Sequence, residues 1–220
     1  MSLDIYGNPD SYGTQFKQFG GGVPVWIRKP DGFRIAGGML VSTFWRDEVI
    51  HAGSPVFYDE KAHTAKILKC FKVTSTEVSG ANTIIKLANN FTTPQLNIGM
   101  NLMVCPSTLS GTGKSVMVTS VDTSTDNYYS ITVPTSSIDA VSVGSYLVEA
   151  NGNGAGQSMY CAPNVLLVDD LVIKEKNTVS IPKKTPCSIY ENTMPDVPTI
   201  VLNNIKTYNP MIEFESYNEI

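Results

Sequence analysis

The sequence predicts an all-β fold: a short-stranded antiparallel sandwich or barrel, with a second small β-barrel-like module inserted. Three observations predict it. Apolar residues come in short runs separated by Gly, Pro, Asp and Asn, the pattern of strands joined by tight turns. No stretch sustains apolar residues at helical spacing, although a short helix would fit near 134–142. Only 16% of residues are charged, below the usual quarter; Ser, Thr, Asn and Gly take their place.

Bulk properties narrow the function classes. With 220 residues, 42% of them hydrophobic, the chain can bury a real core. The net charge is −4 and no Lys/Arg stripe forms, which disfavours nucleic-acid partners. No apolar run approaches the roughly 20 residues of a membrane span, and no charged stretch followed by an apolar one stands at the N-terminus. These features predict a soluble product made in a cytoplasm. Cys70, Cys105, Cys161 and Cys187 are far apart in sequence. Buried free thiols are expected, since zinc sites use closely spaced pairs.

Taken in order, residues 1–22 read as a flexible arm ending in Gly20-Gly21-Gly22. Its aromatics Tyr6, Tyr12, Phe16 and Phe19 would either dock on a partner or lie along the parent domain. Strands follow at Val23–Ile27, Phe33–Ala36 and Met39–Trp45, with turn signals at Pro30-Asp31-Gly32 and Gly37-Gly38. Residues 49–73 form a meander. Val49-Ile50 leads into a Gly53-Ser54-Pro55 turn, Val56-Phe57-Tyr58 ends at Asp59-Glu60-Lys61, and a second run covers Ala65–Val73.

Near residue 75 the composition becomes Ser/Thr/Asn/Val-rich. Strands are expected at Thr83–Leu87, Asn101–Cys105, Lys114–Val121, Tyr128–Val133 and Ser145–Glu149. The stretch Val116–Val133 has the chemistry of a hairpin around an Asp/Asn/Thr turn. Ile98-Gly99-Met100-Asn101-Leu102 and Val143-Gly144-Ser145-Tyr146-Leu147 echo each other, each a Gly turn opening a strand. Asn151–Gly156 reads as a linker. Strands at Val165–Val168, Leu171–Lys174, Val179–Ile181 and Cys187–Tyr190 follow, in a composition like that of residues 23–73.

This gives an outer domain of 23–75 plus 151–206, an inserted module of 76–150, and a tail of 207–220; two domains in series would give the same composition shifts. Residues 199–206 form one more short apolar run. The tail, with Tyr208, Phe214 and Tyr217, would add to a neighbour as a strand or remain unordered.

Catalytic chemistry is sparse. Ser110-Gly-Thr-Gly-Lys-Ser115 lacks the first glycine of a phosphate loop, because position 108 is Thr, and a strand rather than a helix follows it. His51 and His63 lack a third metal ligand at fixed spacing. Asp169-Asp170 suits a turn cap better than a glycosidase pair. Asp122 and Asp126, the carboxylates of a hydrolase alternative, lie in turn chemistry. Trp26, Trp45, Tyr128 and Tyr129 would serve sugar stacking in an adhesion alternative, against core packing. No catalytic residue, cofactor or metal is expected.

The stretch Val49-Ile50-His51-Ala52-Gly53-Ser54-Pro55-Val56-Phe57-Tyr58-Asp59, continuing through Thr64-Ala65-Lys66-Ile67-Leu68-Lys69, resembles a segment of tailed-bacteriophage auxiliary capsid proteins of the head-decoration or head-fibre type. Gly99-Met-Asn-Leu102, Val116–Val133 and Gly144-Ser-Tyr-Leu147 are similar to small β-modules of phage virion proteins. Those modules usually carry an acid after the glycine, where this chain has Met100 and Ser145. The resemblance implies a non-enzymatic structural virion protein, assembled in the host cytoplasm. Its partner would be the outer surface of the major capsid protein lattice, with head fibre proteins or further copies of the chain as additional partners. Tyr6, Tyr12, Phe16, Phe19, Tyr208, Phe214 and Tyr217 are the candidate capsid contacts. A tail, baseplate or fibre-associated glycan-binding protein is the alternative.

Overall fold

The computed structural model describes residues 15–16, 25–30, 33–41, 47–124, 127–174, 177–182 and 184–215. Within these, β1 (Gln15–Phe16), β2 (Trp26–Arg28), β3 (Phe33–Leu40), β4 (Val49–Ile50), β5 (Pro55–Asp59) and β6 (Thr64–Ile67) come first. Next are β7 (Cys70–Ser79), β8 (Asn82–Ala88), β9 (Asn101–Val104), β10 (Thr112–Met117), β11 (Tyr128–Pro134), β12 (Tyr146–Glu149) and β13 (Gly154–Ser158). The last elements are β14 (Val165–Leu166), β15 (Leu171–Val172), β16 (Thr178–Pro182), β17 (Cys187–Tyr190), the helix α1 (Thr199–Tyr208) and β18 (Ile212–Glu215). The fold is all-β with one α-helix among the described residues. By contacts the chain divides into two compact units, residues 1–67, 163–194 and 205–220 in the first, 68–162 and 195–204 in the second.

The first unit holds three small sheets: β14-β5-β6-β3-β16, β1-β15-β4 and β18-β17-β2. Pairing is antiparallel except for β3 with β6 and β17 with β18. Alternation along β5 and β6 sends Val56, Tyr58, Ala65 and Ile67 into one core with Ile50, Val165, Leu167, Leu171, Ile173, Val179 and Ile181.

The second unit holds one seven-stranded sheet, β11-β8-β7-β12-β9-β10-β13. The sheet curls almost shut. Beyond β10 the chain reaches β11, where Asp122 and Ser130 exchange both backbone hydrogen bonds at 2.8 and 2.9 Å. Phe71, Val73, Ile85, Leu87, Leu102, Val116, Val118, Ile131, Val133 and Leu147 fill the interior, as in a small barrel whose inward side chains are its core.

The barrel is a repeat. β7, β8 and β9 correspond to β10, β11 and β12, and the correspondence leaves the strand order around the barrel unchanged. The sequence separation from Val73 to Val118 equals that from Gly99 to Gly144 and from Leu102 to Leu147. Gly99 N–H donates to Val118 O at 2.8 Å, and Val118 N–H returns a bond to Met100 O. In the other half Gly144 N–H donates to Val73 O at 2.8 Å, and Val73 N–H returns a bond to Ser145 O. In each turn the fourth residue bonds back to the first: Met100 N–H to Asn97 O, Ser145 N–H to Ser142 O. Gly99 and Gly144 have φ of 91° and 84°, so both are type II turns that need glycine at the third position.

Several sequence expectations are corrected. Gly37-Gly38 is not a turn; β3 runs through it. A Cβ at Gly38 would sit 3.2 Å from both the Tyr58 ring and Ala65 Cβ, so this glycine serves close strand packing. The run Ala65–Val73 is two strands, β6 and β7, broken at Leu68-Lys69. Val116–Val133 is not a hairpin, because β10 pairs with β9 and β13 while β11 pairs with β8. Asn151–Gly156 is not a free linker. Its second half opens β13, whose bulged pairing with β10 uses glycines at φ 104° and 71°.

The apolar run 199–206 belongs to α1. Ile200 half-buried, Val201 and Ile205 buried and Asn203 exposed trace a helical face too short to read by periodicity. Near 134–142 there is only a 3-10 turn at Thr135–Ser137. The described part of the tail is ordered in its own chain: Tyr208 ends α1, and Ile212–Glu215 pairs in parallel with β17.

Candidate functional site

Residues 49–67 form part of the framework of the first unit. Gly53, at φ 82°, donates its N–H to Leu167 O at 2.8 Å, and Leu167 N–H returns a bond to Ser54 O at 2.9 Å. The carboxylate of Asp170 accepts Ala52 N–H at 2.7 Å, with His51 Nδ1 at 3.8 Å from the same oxygen. Asp170 is 9% exposed. It is therefore a side chain that substitutes for a missing ladder partner where β4 ends and the turn begins. Its neighbour Asp169 pairs instead with Lys29 Nζ at 2.6 Å. The two adjacent acids thus take different partners, as a turn cap requires and a catalytic pair does not. Downstream, Asp59 accepts Lys61 N–H at 2.9 Å and Ala62 N–H at 3.0 Å. The Ala62 bond above all, then the Lys61 bond, holds its carboxyl below the usual range.

The candidate contact residues separate into two groups. Tyr208 packs against the core of the first unit, with Lys184 Nζ 4.1 Å from its ring centroid. Phe214 is half-buried on β18, with Lys206 Nζ at 4.9 Å from its ring. Phe16 lies on β1 opposite Leu171. Tyr6, Tyr12, Phe19 and Tyr217 fall outside the described residues, as do Trp45 and Asp126.

No protein-family model, curated protein or solved structure matches this chain.

The described aromatics of the adhesion alternative, Trp26, Tyr128 and Tyr129, are engaged within the chain. Trp26 is buried and its indole N–H donates to Leu167 O at 3.2 Å. Tyr129 packs on the barrel core, and Lys86 Nζ lies 4.6 Å from the Tyr128 ring. In the Ser110–Ser115 stretch, Asp139 takes the place a phosphate would need. Its carboxylate accepts Lys114 N–H at 2.8 Å, while Lys114 Nζ donates to Ser136 O at 3.1 Å. Asp122 is a turn residue: its carboxylate accepts Ser124 N–H at 2.9 Å, which pulls its carboxyl down. Among the described residues no cluster of three His, Cys, Asp or Glu could hold a metal ion. None of their helices is long and apolar enough to cross a membrane.

All four cysteines are free thiols. Burial raises Cys70 well above the usual range and pushes Cys105 up to about 11, the reverse of what a nucleophile needs.

Sequence reasoning did not single out the exposed apolar positions of the second unit. Ile98 and Val143 are 59% and 65% exposed at equivalent places in the two repeated turns. Phe91, 62% exposed, sits in a loop locked by Asn90. The Asn90 Oδ1 accepts Thr92 N–H and both the Thr92 and Thr93 hydroxyls, at 2.8–3.1 Å. The signal in the sequence was the echo of the two Gly-led pieces, which places one β-branched residue before each glycine.

Proposed function

We propose that this chain is a non-enzymatic structural protein of a phage virion. In this reading it binds the outer surface of the major capsid protein lattice and stabilises the head. The observation that carries the reading is where the resembling segments fall. Residues 49–67 of the first stretch lie in the framework of one β unit, and the two Gly-led strands are the paired halves of the other. The resemblance therefore concerns framework, which short common residues on a surface loop would not.

The chemistry is consistent with a binding role. Among the described residues, Asp122, Asp169, Asp170 and Lys114 are tied into turns, caps and ion pairs, and the Cys105 thiol is poorly ionised. A stable contact with a lattice would still bury roughly 1,000 Å²; many copies on one shell lower the affinity each copy needs. The engaged positions of Trp26, Tyr128 and Tyr129 give the adhesion reading no support.

The test is co-sedimentation of the purified chain with expanded empty shells of the major capsid protein encoded alongside it. The chain is expected to saturate at a stoichiometry set by the shell lattice and to raise the shell's thermal midpoint. Absence of association at micromolar concentration would overturn the reading.

A further inference from the structure

We infer that Asn153 is a site of spontaneous covalent modification, and that the fold protects its near neighbour Asn151 from the same reaction. The inference is independent of the capsid reading. The chain has two Asn-Gly pairs, Asn151-Gly152 and Asn153-Gly154. In such a pair the backbone nitrogen of the glycine attacks the Asn Cγ. A C–N bond forms, the glycine N–H proton is lost to solvent, and Nδ2 leaves as ammonia after gaining a proton. The product is a five-membered succinimide. Water then adds to one of its two carbonyls, that carbonyl's C–N bond breaks and the nitrogen regains a proton, giving an aspartyl residue or its isoaspartyl isomer with a new carboxylate. Glycine favours the step because no Cβ blocks the approach and its backbone reaches conformations other residues avoid.

By sequence the two pairs are equivalent; the structure separates them. The side chain of Asn151 is held across the chain: Nδ2 donates to Ser158 Oγ at 3.0 Å and to Met159 O at 3.3 Å. Its backbone N–H donates to Ser158 O at 3.0 Å, beside the Ala150–Met159 bridge. Those bonds tether the amide to 158–159, and leaving them is the first step the reaction at 151 would need. Asn153 is exposed, and among the described residues none hydrogen-bonds its side chain. Gly154 follows at φ 104°, with nothing within 4 Å of where its Cβ would be, so no neighbouring group crowds that side of the glycine. Loop tips with small polar residues are where such local freedom concentrates.

The position gives the reaction a structural consequence. Gly154 is the first residue of β13 and faces Ser115 of β10 at the sheet's edge. An isoaspartyl link adds one backbone carbon immediately before that pair and so disturbs the register of the edge strand.

The full chain is incubated at mildly alkaline pH in 18O-water, and the peptide covering 151–158 is followed by fragment-ion mass spectrometry. Conversion at position 153 is expected to outrun that at 151 by about tenfold or more in the folded protein. In denaturant the two rates should converge. The Asn153→Gln variant should abolish the signal, and Ser158→Ala should raise conversion at 151. Accompanying hydrogen exchange should show faster exchange over 154–158 in the modified chain. Equal rates at the two positions in the folded protein, or none at 153, would overturn the inference.

Discussion

If the barrel of the second unit is a true structural repeat, then Gly99 and Gly144 should respond to substitution as equivalents. Both sit at the third position of a type II turn, at φ 91° and 84°, and a Cβ at either would meet nothing within 4 Å. Replacement by Ala is therefore free of steric clash and costs only the positive φ, about 1–2 kcal/mol for an L residue. The stiffer unfolded chain does not change the sign, because Ala cannot adopt the native conformation without strain. Each variant should lower the thermal midpoint by roughly 2–16 °C, depending on the size of the cooperative unit. The turns close opposite ends of the β9–β12 pair and share no hydrogen-bond partner. The double variant should accordingly lose about the sum, within roughly 0.5 kcal/mol. Asn tolerates positive φ and should cost less than Ala at both places. Calorimetry and urea titration of the variants beside the parent chain would measure this. A loss of several kcal/mol at one glycine with none at the other, or Asn no milder than Ala, would refute the equivalence.

Other substitutions probe single devices. Asp170→Ala strips Ala52 N–H of its buried acceptor and should cost about 1–3 kcal/mol in denaturant titration, with Asp170→Asn recovering much of that because it keeps an acceptor oxygen. Cys105 should react with iodoacetamide at pH 8 about 100-fold more slowly than a free thiol of pKa 9.0, since its own is pushed up to about 11 and the thiolate reacts; labelling at the free-thiol rate would contradict the burial seen. Asp59 and Asp122 are both depressed below 3.8. Their turn contributions are therefore present above the unfolded carboxylate pKa and fade as pH falls through the folded one. Asp59→Asn should flatten the acid side of the stability curve, read as thermal midpoint against pH. Gly38→Val should destabilise far more than Gly99→Ala, because its side chain would enter the Tyr58 ring and Ala65.

What was legible in the sequence followed from local chemistry. β5, with Val56 and Tyr58 inward and an Asp59 turn behind it, needed only alternation and turn residues to be read. The echo of Gly99-Met-Asn-Leu102 and Gly144-Ser-Tyr-Leu147 pointed to paired turn-strand units. The partners of those strands were not legible. Sequence neighbours β10 and β11 do not pair, an isolated bridge at Asp122–Ser130 joins β11 to the chain beyond β10, and β7 pairs with β12 after a long excursion; such non-local pairing leaves no local trace. Gly37-Gly38 misled because the same residue type that makes turns also lets strands approach closely. At α1 the pattern was too short to show its period. The role of Asp170 was half legible: a turn cap was expected, but its target, Ala52 N–H, lies across the fold.

The burial of the 49–69 stretch has a consequence for how the proposed capsid role is tested. Val56, Ala65 and Ile67 are almost wholly inaccessible, and Gly53 and Ser54 are both bonded to Leu167. Mutating them would lose binding by losing the unit, and such a result would say nothing about the partner. Exposed groups on a rigid frame are the informative positions, because their removal leaves the fold standing and takes away only contact area. Ile98 and Val143 at the repeated turns meet that description, and Phe91 in its Asn90-locked loop is a third exposed position. On Phe91→Ser the chain should keep its thermal midpoint. If shell affinity then falls about tenfold while Ile98→Ser and Val143→Ser leave it unchanged, the contact lies on one side of the barrel. If the two turn variants weaken binding to the same extent, the partner reads both halves of the repeat. If all three keep full affinity, the barrel is not the contact, and the aromatic positions of 1–22 and 207–220 become the place to look.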